Sequence, residues 1–152
     1  MSASGAALTR WLDKQGFPGG DVNAVIDNRT TPLMRAALLG DLGVVRELIA
    51  AGAQLNFRNA DGNTALWLAC VGRHLLIIDA LVDAACDLDN CNDNGATPLM
   101  YASSAGRADV VERLLARGAD ILPQTPDGFS ALDMAATVEC LNLLRRAGRR
   151  RA

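Results

Sequence analysis

The phrase Thr31-Pro32-Leu33 returns as Thr64-Ala65-Leu66, Thr97-Pro98-Leu99 and Ser130-Ala131-Leu132, each copy 33 residues after the one before. A unit of that length is one supersecondary element, too small to bury an apolar face alone, so every copy must lean on its neighbours. The 152 residues suffice for one such domain, which would bury about 70% of the surface that its unfolded chain exposes. In a stack of this kind, function belongs to the shared surface.

The third copy shows the local chemistry. Thr97 can cap a helix through its hydroxyl, Pro98 suits the first helical position where no N–H is required, and Leu99 opens the apolar face. Ala102, Ser103 and Ala105 are small enough for close helix approach, and Gly106 permits a stop. Val110, Val111, Leu114 and Leu115 then recur at helical spacing, with Glu112, Arg113, Ala116 and Arg117 on the wet side. Gly118-Ala119-Asp120 ends that helix, and Pro123 through Gly128 carries turn chemistry ahead of Ser130. Each unit therefore reads as helix, turn, helix and hairpin-like loop.

These residues resemble the ankyrin repeat, in which an Asp or Asn and a Gly precede T-P-L-H-x-A-A and a second helix ends L-L-x-x-G-A-x-x-N. Register holds at Gly62, Gly95 and Gly128, at Ala36, Ala69, Ala102 and Ala135, at Leu48, Leu81 and Leu114, and at Gly52 and Gly118. The resemblance covers nearly the whole chain. It implies an all-α ankyrin-repeat solenoid of helix-turn-helix units joined by β-hairpin-like loops. Residues 1–27 read as a capping half-repeat in which Leu8 through Lys14 forms a second helix. Full repeats span 28–60, 61–93 and 94–126, a shortened capping repeat spans 127–148, and a basic tail spans 149–152. Leu143 follows Ser130 by 13 residues where Leu114 follows Thr97 by 17, so about one helical turn is expected to be missing between the two helices of this unit.

The family's histidine is missing throughout. Met34, Trp67, Met100 and Asp133 stand in its place, so the hydroxyl-to-imidazole bond of that corner is expected to give way to apolar packing. Repeat two also has Arg73 where Gly40 and Gly106 stand, and Ala85-Cys86 for Gly-Ala. It should be the least regular repeat.

Composition narrows the function classes. Half the residues are apolar and 4% are aromatic, which suits small, closely packed helices. The opening residues lack a basic start and a sustained apolar core, so no signal peptide is expected. No apolar run approaches the ~20 residues of a membrane-spanning helix, and a cytoplasmic, monomeric protein is expected. One Lys against fourteen Arg suits a GC-rich genome such as a bacterial one. Net charge is −2, but Arg145, Arg146, Arg149, Arg150 and Arg151 crowd the C-terminus, leaving the first 144 residues at −7. An acidic body argues against nucleic acid, whose phosphates require clustered cations. The arginines read as a solvated tail, with tethering to nucleic acid or an anionic membrane as the alternative.

Chemistry has few places to reside. Cys70, Cys86, Cys91 and Cys140 form no C-x-x-C pair. Cys70 and Cys86 align with alanines and read as small buried fillers, whereas Cys91 lies in a loop and is the candidate for oxidation. His74 is the only histidine and reads as a local capping residue. Asn90-x-Asn92-x-Asn94-Gly95 imitates part of a calcium loop, but Tyr101 stands where the bidentate Glu belongs, so a hairpin is expected. No P-loop, G-x-S-x-G or H-E-x-x-H occurs. Neither an enzyme, a cofactor, a metal nor a small-molecule substrate is expected. The competing function is a redox- or metal-linked accessory acting through Cys91 or the Cys70/His74 neighbourhood.

What the resemblance implies for binding is a concave face made of hairpin tips and first helices. On this chain the tips are Asn28, Thr30, Asp61, Asn63, Asp93, Asn94 and Phe129, and the first-helix positions are Arg35, Leu38, Leu39, Trp67, Leu68, Val71, Tyr101 and Ser104. Met34, Trp67 and Met100 belong either to this strip or to the core. Trp67 and Tyr101 would serve as aromatic anchors, since such side chains bury much area at little entropic cost. The expected function is a protein-binding adaptor, scaffold or inhibitor whose partner is another protein.

Overall fold

The computed structural model of the chain describes residues 3–151, which divide into two compact units between Cys86 and Asp87. Regular structure among the described residues is helical, apart from two isolated bridges, Ile26 with Thr30 and Gln124 with Ser130. The all-α expectation therefore holds.

The first unit has two layers. Helix α1 (Ala3–Lys14) packs on α3 (Leu42–Ala50), and α3 packs on α5 (Leu75–Asp83). Helices α2 (Pro32–Leu39) and α4 (Ala65–Val71) pack on each other. Leu8 and Leu12, one turn apart on α1, are buried, and Phe17 beyond its end is buried with its ring stacked on Trp11 at 6.4 Å between centroids. The core continues through Leu33, Met34, Val45, Leu48, Leu66, Ile77, Ile78 and Leu81, each large side chain contributing about 1.5–3 kcal/mol by leaving water. Met34 thus belongs to the core and not to a binding strip.

Repeat two is regular in its helix lengths. Helices α4 and α5 have seven and nine residues, the same lengths as α6 (Pro98–Ser104) and α7 (Ala108–Ala116). What differs is the residue type at its two turns. Arg73 takes φ 58° and Ala85 takes φ 71°, the left-handed values that Gly40 and Gly52 supply in repeat one. Side chains cost energy there because Cβ crowds the carbonyl oxygen, so the repeat keeps its geometry and carries strain.

In the second unit α6 packs on α7, and α7 packs on α8 (Val138–Arg151). Met100 is buried core like Met34, yet its corner is not purely apolar. The Met100 amide donates to Thr97 Oγ1 at 3.2 Å, and the Thr97 amide reaches back to Met100 Sδ at 3.5 Å. At Ser130 the carboxylate of Asp133 does the same more strongly, accepting from the Ser130 amide at 2.9 Å and hydroxyl at 3.0 Å, while the Asp133 amide donates to Ser130 Oγ at 3.3 Å. The expectation of apolar replacement is corrected at both corners: a thioether and a carboxylate act as reciprocal caps.

The shortened repeat loses its first helix instead of a turn between helices. Residues 131–134 form only a turn, fastened by Ser103, whose hydroxyl donates to the Ala131 carbonyl at 2.6 Å and whose carbonyl accepts from the Ala136 amide at 3.0 Å. The chain then enters α8. Residues 149–151, read from sequence as a tail, continue this helix, and residue 152 lies outside the described residues.

Candidate protein-binding surfaces

The loop tips are built locally. In Asn59-Ala60-Asp61-Gly62 the Asn59 side-chain oxygen accepts from the Asp61 and Asn63 amides at 2.9 and 3.0 Å, and the Gly62 amide donates to the Asn59 carbonyl at 2.9 Å. Asn92 repeats this with the Asn94 and Ala96 amides at 3.0 and 2.9 Å, which commits its side-chain oxygen to the hairpin. Thr125 Oγ1 accepts from the Phe129 amide at 3.2 Å. An asparagine or threonine side chain therefore templates each of these turns. The first tip lacks such a residue and turns through Asn28 and Arg29, at φ 63° and 58°, the positive pair that a tight two-residue hairpin demands. Its Asn28 carbonyl accepts from the Ala60 amide at 2.8 Å, tying the first two tips together.

This construction sorts the predicted tip residues. Asn28, Asp61, Asp93, Asn94 and Phe129 are exposed, and Thr30 is half-buried in its bridge to Ile26. Asn63 is buried, its amide and carbonyl both used by Asn59. It holds the loop together and is withdrawn from the binding set.

The first helices differ between units. On α2, Leu38 and Leu39 are 42% and 54% exposed, beside the half-buried Arg35. Arg35 Nη1 donates to Gln15 Oε1 at 3.3 Å. Trp67, Leu68 and Val71 on α4 are half-buried, so Trp67 divides its surface between core and solvent. On α6, Ser104 is exposed and Tyr101 is half-buried with the Arg107 guanidinium 5.9 Å from its ring centroid. Exposed Leu76, Leu122, Leu132 and Val138 escaped the sequence-based set. For Leu132 a signal existed, because its repeat loses the helix that would bury it.

The alternative chemistry fares less well. Cys70 and Cys140 are buried, Cys86 is half-buried instead of a buried filler, and Cys91 is exposed with Sγ 3.9 Å from the Asp89 carbonyl. His74 does not cap its own helix. Its Nε2 lies 3.1 Å from the carbonyl of Leu38 in the preceding repeat. No three His, Cys, Asp or Glu side chains among the described residues are placed to hold a metal ion. No helix among them is long and apolar enough to cross a membrane.

The chain is 32% identical over 143 residues to ankyrin repeat and KH domain-containing protein mask-1 of Caenorhabditis elegans, a match covering 88% of this chain and 5% of that protein. Ankyrin repeat domain-containing protein 63 of Homo sapiens is 34% identical over 125 residues, with 74% of this chain and 33% of that protein covered. Probable E3 ubiquitin-protein ligase XBOS31 of Oryza sativa subsp. japonica is 36% identical over 118 residues, covering 74% and 26%. The chain thus spans a third or less of each of these relatives. The family model for ankyrin repeats (3 copies) matches residues 3–90, 33–125 and 77–149. With the repeat phase, the paired helices and the templated loops in agreement with that model, the chain belongs to the ankyrin-repeat family, whose repeats generally serve as protein–protein interaction modules.

Proposed function

We propose that the chain is a monomeric, cytoplasmic protein-binding module without catalytic activity of its own, acting as an adaptor, scaffold or inhibitor. The carrying observation is α2, which has buried Leu33, Met34, Ala36 and Ala37 and also exposes Leu38 and Leu39 at its end. Two adjacent exposed leucines beside an arginine supply the apolar centre and polar rim of an interface. Leu68 and Val71 extend the apolar residues on α4, and the exposed Asp27 and Asp61 favour a partner with a basic rim. In the second unit, Tyr101, Ser104, Asp93, Asn94 and Phe129 supply an aromatic and polar set of the same kind. Four free thiols suit a reducing compartment. Ligase chemistry is not carried over, because the similarity to that relative spans 26% of its length.

The test compares proteins captured from a native lysate by the wild-type chain and by a Leu39→Asp/Tyr101→Ala variant of matched melting temperature. A protein lost only from the variant supports the module and its surface. Identical capture by both would sink the surface assignment.

A further inference from the structure

The repeat position of Leu33, Leu66 and Leu99 is core in three copies, each residue 1% exposed, whereas its fourth copy, Leu132, is 38% exposed. It opens on a groove of about 610 Å³ beside α8, whose apolar lining is Ile121, Leu122, Leu132 and Leu144. Leu122 is 67% exposed. The lining also includes Arg145 and Arg149 of α8, and it contains no carboxylate. The acids nearest in sequence are engaged: Asp120 Oδ1 accepts from the Leu122 amide at 3.0 Å, and Asp133 is held by Ser130. Among the described residues neither guanidinium has a hydrogen-bonded or ion-paired partner. They stand one helical turn apart, about 6 Å along the axis, so α8 presents two exposed like charges on one side, which a ligand carrying two anionic groups at that spacing would relieve.

We propose that this groove docks an acidic amphipathic helix of a partner protein. Its apolar face would cover Leu122 and Leu132, and carboxylates spaced i, i+4 would pair with Arg145 and Arg149. A guanidinium forms two parallel hydrogen bonds with a carboxylate, so a pair one turn apart selects a helix carrying acids at that interval. A concave apolar lining beside the two charges favours this occupant over a phosphate backbone, which needs cations alone, and over a flat lipid surface. The groove shares no residue with the surfaces proposed above.

The probe is a labelled synthetic helix with leucines at i, i+3, i+4 and i+7 and flanking glutamates at i and i+4, titrated by fluorescence anisotropy. Arg145→Glu/Arg149→Glu should weaken binding by about tenfold or more, as should replacing the probe's glutamates by glutamine. Gly148→Leu is the control for folding. A Cβ there would sit 3.6 Å from Ile121 Cδ1 without strain, so the leucine fills the groove and favours the helix. It should abolish binding while melting temperature holds or rises. Equal binding of the glutamine probe, or of the Gly148→Leu protein, overturns the proposal. So would tighter binding to phosphatidylserine vesicles or single-stranded DNA than to the peptide with the same arginine dependence, or self-association that the arginine variant abolishes.

Discussion

The imidazole of His74 donates through Nε2 to the carbonyl of Leu38 at 3.1 Å, across 36 residues of sequence. Leu38 lies in the last turn of α2, where carbonyls have no intrahelical partner, so the second repeat caps the first. The ring fits because Gly40 and Gly72 leave it room. A Cβ at Gly40 would come within 2.5 Å of His74 Cε1, and one at Gly72 would also run into the ring.

Removing the ring by His74→Ala should therefore cost about 0.5–1.5 kcal/mol, the net worth of one solvent-accessible hydrogen bond. Gly40→Ala should cost at least as much, since φ there is +84° and the ring blocks the new methyl. In urea denaturation the double variant should lose less than the two single losses combined, by about 0.5 kcal/mol or more. Strict additivity would mean that the glycine and the histidine act independently.

Ala85 and Arg73 hold left-handed conformations that glycine adopts in sister repeats. Strain relief of about 1–2 kcal/mol on changing either to glycine exceeds the entropic loss of about 0.5–1 kcal/mol. Ala85→Gly and Arg73→Gly should each raise the melting temperature by about 2 °C. A fall in calorimetric melting temperature for both would show that these turns carry no strain worth relieving.

Three threonine caps share a sequence position but not a bond. Thr31 and Thr97 accept from the amides of Met34 and Met100 at 3.3 and 3.2 Å, whereas Thr64 Oγ1 is buried with no partner. Thr64→Val should be neutral or stabilising by up to about 1 kcal/mol, because it removes an unsatisfied hydroxyl. Thr97→Val should lose about 1 kcal/mol with its cap. Equal losses from both substitutions would argue that Thr64 is capped in solution.

The carboxyl of Asp133 is held below the ordinary 3.8 of an aspartate, first by the Ser130 amide and then by its hydroxyl. A depressed value stabilises the fold above the unfolded value, and that contribution is lost as pH falls through the folded one. The stability difference between wild type and Asp133→Asn should be constant near neutrality and shrink below about pH 4. A difference that does not change down to pH 2.5, on the order of a unit beneath the unfolded value, would exclude the carboxylate as its source.

Residues that act on their neighbours along the chain were legible in the amino-acid order. Thr97-Pro98-Leu99 starts a helix through contacts within four residues, and the hairpin of Asn92 through Ala96 closes on one side chain. Side chains whose partners lie in another repeat were not: Met34 could be assigned to core or surface only once α2 lay against α4.

The repeat, its phase, most helix starts and the loop chemistry all followed from the order of residues, because a 33-residue period and local hydrogen bonds need no distant partner to be recognised. Three features came from the folded chain instead: His74 bonds Leu38, Ser103 secures a turn in place of a helix, and Leu132 opens on a groove flanked by Arg145 and Arg149. Each of these depends on which atoms meet when one repeat stacks on another, and that packing is set by side chains far apart in the chain.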